Sequence, residues 1–436
     1  MSLTRLCVLV VGYVWPEPRS SAAGGHMMQL LGSFLSAGWQ VTFASPATLG
    51  EHKADLAELG IAECAITLND SSFDVFVEEL APNVVLFDRF MMEEQFGWRV
   101  AKHCPQALRV LETCDLHGLR DARQQLLKAR LKAPDASDDF SDLFSAALDG
   151  VYPAMAAADV TLREIAALYR CDLNLMISDV ELQLLVQQFG VPASLLHWCP
   201  LMLDARPRPS PDFAERAHFL SIGNFRHEPN WDAVLWLKNS IWPLIRQQLP
   251  EAQLHIYGAY TPPKATALHN ARQGFHVLGW ADDALEVMAQ ARVNLAPLRF
   301  GAGIKGKLAD AMLCGTPSVT TPIGAEAMHG ALPWPGAVAR SASALAEAAV
   351  ALYCDESRWQ QARTQAQQVL ASRYDIDLHS AALVARIETL LPRLAEHRLQ
   401  NFTGAMLQHH QHKSTQYMAQ WIEAKNRAAK NARPQG

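Results

Sequence analysis

The chain lacks most of the devices by which a sequence advertises an unusual environment. Its eight cysteines, at 7, 64, 104, 114, 171, 199, 314 and 354, form no Cys-x-x-Cys pair and no Cys/His ligand spacing. That excludes a disulfide framework and a zinc finger, and it reads as reduced core thiols in a cytoplasmic protein. No run approaches the roughly eighteen apolar residues of a membrane span. The opening residues have no basic region followed by a long apolar stretch, since Leu6 to Val11 is only strand-length. There is little excess charge either: a net −6 over 436 residues argues against a general nucleic-acid binder. With half its residues apolar and 19% charged, the composition is that of a globular protein with a large core, long enough for two or three domains.

What the chain does have is an alternation. Arg5 to Val11 is a β-rich run, followed by a turn-rich segment from Gly12 to Gly25 and a helical pattern from His26 to Ala37. His218 to Ile222 begins the same way, with a turn from Gly223 to Pro229 and a helical pattern from Asn230 to Gln247. After each start, short apolar strands alternate with amphipathic helices. The expected strands of the first half are Val41–Ala44, Val84–Phe87, Leu108–Leu111 and Leu173–Ile177. In the second half they are Gln253–Tyr257, His276–Leu278, Val293–Ala296 and Ser318–Thr321. Such alternation predicts an α/β fold of two parallel, doubly wound sheets, whose ligands bind beyond the C-terminal strand ends. Pro207, Pro209 and Pro211 forbid helix and ladder alike and mark the link between the halves. The expected domains are 1–205, 213–392 and a basic helical extension, 393–436.

The segment richest in chemistry runs from Arg299 to Lys307, with Gly301, Gly303 and Gly306 interleaved with Lys305 and Lys307. It follows a predicted strand and opens a predicted helix. Glycine clears side chains from the backbone amides, a helix N-terminus adds unpaired donors, and two lysines add full charge. Together they predict an anion cradle sized for a diphosphate, against the plainer reading of a tight turn with solvated lysines. It is not a Walker loop, because no Gly-Lys-Ser/Thr follows. Nor does it sit after the first strand of a βαβ unit, where a dinucleotide fingerprint belongs. Asp138 and Asp139, in an acidic loop from Ala133 to Asp142, offer carboxylates for a divalent cation, but a solvated loop is the simpler reading and no metal is expected. The last forty residues carry Lys413, Lys425, Arg427, Lys430 and Arg433 against Glu423 alone. They read as a solvated helix or as a contact for an anionic membrane surface.

The second half resembles the retaining GT-B glycosyltransferases of family 4. The matching segments are Phe219 to Asp232 with Gly223 and Arg226, Leu254 to Gly258, Val277 to Trp280, Ala296 to Lys307, and Gly315 to Glu326. The first half is similar more loosely, at Gly24-Gly25, at Asp115 to Arg120 around His117, and at Arg163-Glu164 leading to Ile177-Ser178. The resemblance implies two Rossmann-like domains facing across a cleft and transfer of a sugar, with retention, from a nucleotide-diphosphate donor to a hydroxyl acceptor. It implies donor binding by Gly223, Arg226, Gly258, Gly301, Gly303, Lys305, Lys307, Asp310 and Glu326. Gly24, Gly25, Asp115, His117 and Arg120 would face the acceptor, and Lys307, Asp310 and His117 would carry catalysis. The family usually carries two glutamates eight apart here; this chain has Asp310 for the second and Ala302 for the first. A retaining front-face reaction can pass the acceptor proton to a donor phosphate oxygen, so the lack of an obvious base fits. Expected partners are a nucleotide sugar and a glycan, lipid-linked or protein acceptor of the cell envelope or an exopolysaccharide, without metal, cofactor or nucleic acid. The expected location is the cytoplasm, with peripheral contact at the inner membrane face through the basic tail. A catalytically silent sugar-nucleotide-binding subunit and a two-domain nucleotide-sugar epimerase are the alternatives.

Overall fold

The computed structural model describes residues 5–133, 139–145, 148–206 and 209–431. Asp138 lies outside them. Seven strands form the first sheet: β1 (Cys7–Val11), β2 (Gln40–Ser45), β3 (Ala62–Ala65), β4 (Val84–Asp88), β5 (Leu108–Glu112), β6 (Leu173–Met176) and β7 (Leu196–Trp198). Six form the second: β8 (Ala217–Ile222), β9 (Leu254–Tyr257), β10 (Phe275–Gly279), β11 (Ala291–Ala296), β12 (Ser318–Thr320) and β13 (Gly336–Val338). The orders are β3-β2-β1-β4-β5-β6-β7 and β10-β9-β8-β11-β12-β13. Every strand pairing is parallel.

The continuous apolar strands follow from helices covering both faces. In β1, Val8 and Val10 enter one core cluster while Leu9 and Val11 enter another, as the two-residue strand period requires. In both sheets the order reverses beside the first strand, between β1 and β4 and between β8 and β11. This reversal opens a crevice at the C-terminal strand ends of each domain.

Two expectations change. The first helix spans Ala22–Ser36, because Ser21 caps it by accepting a 3.0 Å hydrogen bond from the Gly24 amide. Gly24 and Gly25 therefore lie in a helical first turn, not in the preceding turn. A Cβ on Gly24 would sit 2.5 Å from the Glu17 carbonyl oxygen, whereas one on Gly25 would meet nothing within 4 Å. The second change concerns the C-terminal helices. Helix Ile376–Leu390, expected within the second domain, crosses back. Leu383, Ile387, Leu390 and then Leu394 bury into the first domain's core beside Val8, Val10 and Phe34. The last helix, Phe402–Asn431, packs along helices Phe90–His103 and Asp159–Arg170 of the first domain, so it is a docked element and not a solvated extension.

Candidate active site

The loop after β11 turns through two left-handed glycines, Gly301 at φ 153° and Gly303 at φ 64°, into helix Gly306–Leu313. Gly303 must lack a side chain for a second reason. A Cβ there would stand 2.9 Å from Asp115 Cβ and 3.1 Å from the Cys114 carbonyl, both in the first domain. Gly306 meets the start of the first helix equally closely, with Ala22 Cβ 2.5 Å from a Cβ placed on it. The two domains thus meet at the N-termini of helices Ala22–Ser36, His117–Leu131 and Gly306–Leu313. The aligned dipoles of these helices make this region favourable for negative charge.

Both lysines are drawn into it. Lys307 Nζ donates a 2.6 Å hydrogen bond to Asn230 Oδ1, and no carboxylate pairs with it among the described residues. Burial alone pulls its pKa down to about 7. Gly223, at the end of β8, is the floor beneath it, because a Cβ there would lie 2.6 Å from Lys307 Nζ. A Cβ on Gly258, at the end of β9, would similarly lie 2.2 Å from the Gly223 carbonyl oxygen. Lys305 folds back to donate to the Gly303 carbonyl at 2.7 Å. Burial lowers its pKa, opposed by the nearby Glu326 carboxylate. Asp310, one turn further along the helix from Gly306, is held up at about 7 by burial. The structure brings Gly223, Gly258 and Lys307 together, with Asp310 three residues beyond Lys307 on the same helix.

Two expected donor residues do something else. Arg226 is exposed and stacks on Tyr260, with its guanidinium carbon 3.5 Å from the ring centroid. Tyr260 in turn donates to Glu17 across the cleft at 2.9 Å. Glu326 receives two hydrogen bonds, 2.9 and 2.7 Å, from Arg123 of the first domain, and Arg123 also donates to the Gly301 carbonyl at 2.8 Å.

On the first domain, His117 opens its helix directly behind Asp115. Its Nε2 is 3.6 Å from the Asp115 carboxylate, and its ring stands edge-on to Phe90 at 5.5 Å. Burial pushes its pKa down to about 4, so the imidazole is neutral near pH 7. Asp115 is ion-paired with Arg120, which helps keep it ionised against its own burial. Asp88 accepts from the Tyr13 amide at 3.1 Å near the same strand ends. Glu93 and Glu94, on helix Phe90–His103, form ion pairs with Arg170 and Arg163.

Sequence reasoning missed Arg123 and the roles of Glu164 and Glu181. Glu164 is buried and accepts from the His117 and Gly118 amides at 2.9 and 3.0 Å, capping the helix that carries His117. Burial raises its pKa to about 8. Glu181 reaches across the cleft. It accepts from the Leu116 amide at 3.1 Å and makes a short hydrogen bond with the Gly303 amide. Ser178 to Glu181 reads as a local capping box, and Ser178 does cap its helix, accepting from the Glu181 amide. The carboxylate, however, is shared between the Leu116 amide of its own domain and the Gly303 amide of the other. Among the described residues, no group of three or more His, Cys, Asp or Glu is arranged to hold a metal ion.

Comparison with known proteins places this arrangement. No curated protein matches the chain by sequence. By structure, it resembles a sucrose-phosphate synthase from Thermosynechococcus elongatus at 14% identity and a TM-score of 0.65, covering 89% of this chain and 100% of that one. It also resembles HepE from Anabaena, solved with UDP and glucose, at 13% identity and TM-score 0.62, covering 88% and 99%. A third is WaaG, a glycosyltransferase of lipopolysaccharide biosynthesis, at 14% identity and TM-score 0.56, covering 88% and 99%. At such identities the likeness establishes the fold, which is that of the GT-B glycosyltransferases. Residues 216–355 match the family described as glycosyl transferases group 1, so the lysine loop, Asp310 and Glu326 all lie within the segment that is similar to that family, in a chain of GT-B fold.

Proposed function

We propose that the protein is a retaining glycosyltransferase that moves a sugar from a nucleotide-diphosphate donor to a hydroxyl acceptor in cell-envelope or exopolysaccharide synthesis. The observation that carries this reading is Lys307, a half-buried amine at a helix N-terminus whose partner among the described residues is a neutral amide and not an acid. A bound diphosphate would supply the missing negative charge. Asp310, nearby on the same helix, is suited to accept from sugar or ribose hydroxyls. HepE, of the same fold, was solved with UDP and with UDP-glucose.

In the reaction, the bond from the anomeric carbon to the diphosphate oxygen breaks and a bond to the acceptor oxygen forms on the same face. The acceptor proton passes to the departing phosphate oxygen. Lys307 and Lys305 stabilise the charge that builds on that phosphate, an electrostatic contribution on the order of 3 kcal/mol per donor. His117, neutral and held by Glu164 at its backbone, positions a sugar hydroxyl or offers its carbonyl to the developing cation. No step calls on a metal. The site faces the cytoplasm, and the acceptor is a glycan, lipid-linked or protein group presented at the inner membrane face.

Thermal unfolding across UDP, GDP, ADP, CMP and dTDP tests the donor site. One diphosphate at about a hundred times its dissociation constant should stabilise the protein by roughly 2.7 kcal/mol. Lys307→Ala should abolish that gain. Diphosphate favours the charged lysine, so binding takes up a proton above pH 7. Affinity is therefore expected to weaken by up to about tenfold per pH unit above pH 7. If no nucleotide stabilises the protein at any pH, the donor-site reading fails.

A further inference from the structure

The last helix, Phe402–Asn431, has two faces. One is fixed to the first domain. A Cβ on Gly404 would stand 2.1 Å from the Tyr169 carbonyl, Gln408 donates to the Arg170 carbonyl at 3.0 Å, and Ala419 is 4% exposed. Near the far end, Glu423 accepts from the Ser71 amide at 3.2 Å and pairs with Arg427. These contacts leave the helix no freedom to roll.

The opposite face carries Phe402, Met406, Tyr417 and Trp421, exposed by 78, 47, 64 and 60%. At 100° per residue they fall within about 100° of the helix circumference; the docked residues Gly404, Gln408 and Ala419 lie roughly opposite, and Glu423 lies at the flank. Lys413 falls within the stripe and Lys425 at its margin, where its ammonium stands 5.3 Å from the Trp421 ring centroid. A protein of net charge −6 thus gathers Lys413, Lys425, Arg427 and Lys430 on this helix against Glu423 alone.

We propose that this stripe is the surface by which the protein lies on an anionic lipid bilayer. Tyrosine and tryptophan favour the boundary between headgroups and acyl chains, and lysines beside them meet lipid phosphates. A second copy of the chain fits less well. The stripe, about 30 Å long and one helix face wide, offers roughly 300 Å² per partner, short of the roughly 800 Å² of a stable interface. The placement also suits the chemistry. The helix packs on helix Phe90–His103, whose first residue, Phe90, touches His117, so lipid contact sets the acceptor side of the cleft one helix layer from the bilayer. The inference rests on the proposed function for the acceptor's location and on the helix alone for the surface.

The test is co-sedimentation of the full chain with vesicles of phosphatidylglycerol in phosphatidylcholine, against phosphatidylcholine alone. Binding is expected to the anionic vesicles only. Changing Lys413→Gln or Lys425→Gln should weaken it about fivefold each, and Tyr417→Ser with Trp421→Ser should abolish it. Stabilisation by nucleotide should persist in every variant, which shows the fold intact and separates failure here from failure of the donor site. The proposal is overturned by absent binding to anionic vesicles or by binding indifferent to the stripe. It is equally overturned by a dimer that the Tyr417/Trp421 variant converts to monomer.

Discussion

At the scale of single residues, the proposed donor site is built from groups whose charge state is costly without a ligand. Asp310 shows this most plainly. Its carboxylate is buried, and nothing but burial sets its pKa, at about 7. A carboxyl whose folded pKa is raised contributes stability that is fully present below the ordinary carboxylate range and lost as pH climbs through about 7. Asp310→Asn removes the ionisation while keeping the shape. The variant should therefore unfold like the parent near pH 4 and be more stable at pH 8, by a few kcal/mol at most. It should also bind nucleotide more weakly, since the amide accepts less strongly from hydroxyls than a carboxylate does. Denaturant unfolding at the two pH values checks the first outcome. A loss of stability at pH 8 would make Asp310 a structural acid with a partner, contrary to its isolation. The two lysines differ in the same terms. Lys305 is held by its own loop and by the Glu326 charge, whereas among the described residues Lys307 has only Asn230, so Lys307 is the more sensitive probe of bound anion.

At the scale of elements, the site is where three helices begin, and acids from one element hold the amides of another. Glu181 bridges the Leu116 amide, just before His117, and the Gly303 amide of the lysine loop. It thereby sets the distance between the acceptor-side histidine and the donor loop. Hydrogen bonds to a charged group are worth about 1.5–3 kcal/mol, so Glu181→Ala should reduce kcat/KM on the order of 10- to 100-fold. Diphosphate affinity should change far less, because Lys307, Gly223 and Gly258 belong wholly to the second domain. Steady-state kinetics beside a titration with the diphosphate separates the two, and a parallel loss would contradict the bridging role. Much of this level was legible in the chain. The paired β-strand and helix starts, Gly223 at the end of β8 and the lysine loop came from local pattern, because strand period and turn chemistry are local matters, whereas Gly258 at the end of β9 came from the family resemblance. The elements not foreseen are β3, β7 and β13, whose four, three and three residues are too short to show a period. Glu181 and Arg123 were hidden for another reason. An acid at a capping-box position and an arginine on a helix face look local, and only the meeting of two domains gives them distant partners.

At the scale of the molecule, the chain crosses between domains twice at one place. Leu203, leaving the first domain, donates its amide to the Tyr374 carbonyl at 2.7 Å and accepts from the Ile376 amide at 3.2 Å as the chain returns. Beyond that point, Leu383, Ile387 and Leu390 complete the core beneath β1. The first domain is therefore not a contiguous piece of sequence, and hydrophobic pattern alone could not show this, since an amphipathic helix does not declare which sheet it covers. Ile387 is fully buried, and Ile387→Ala should cost about 2–5 kcal/mol. The loss belongs to the first domain although the residue lies near the chain's other end. Hydrogen exchange should show accelerated opening of β1, β4 and helix Ala22–Ser36, with β8, β9 and β11 nearly unchanged and still protected by bound diphosphate. Faster exchange centred on β8 and β11 would place the helix's energy with the second sheet.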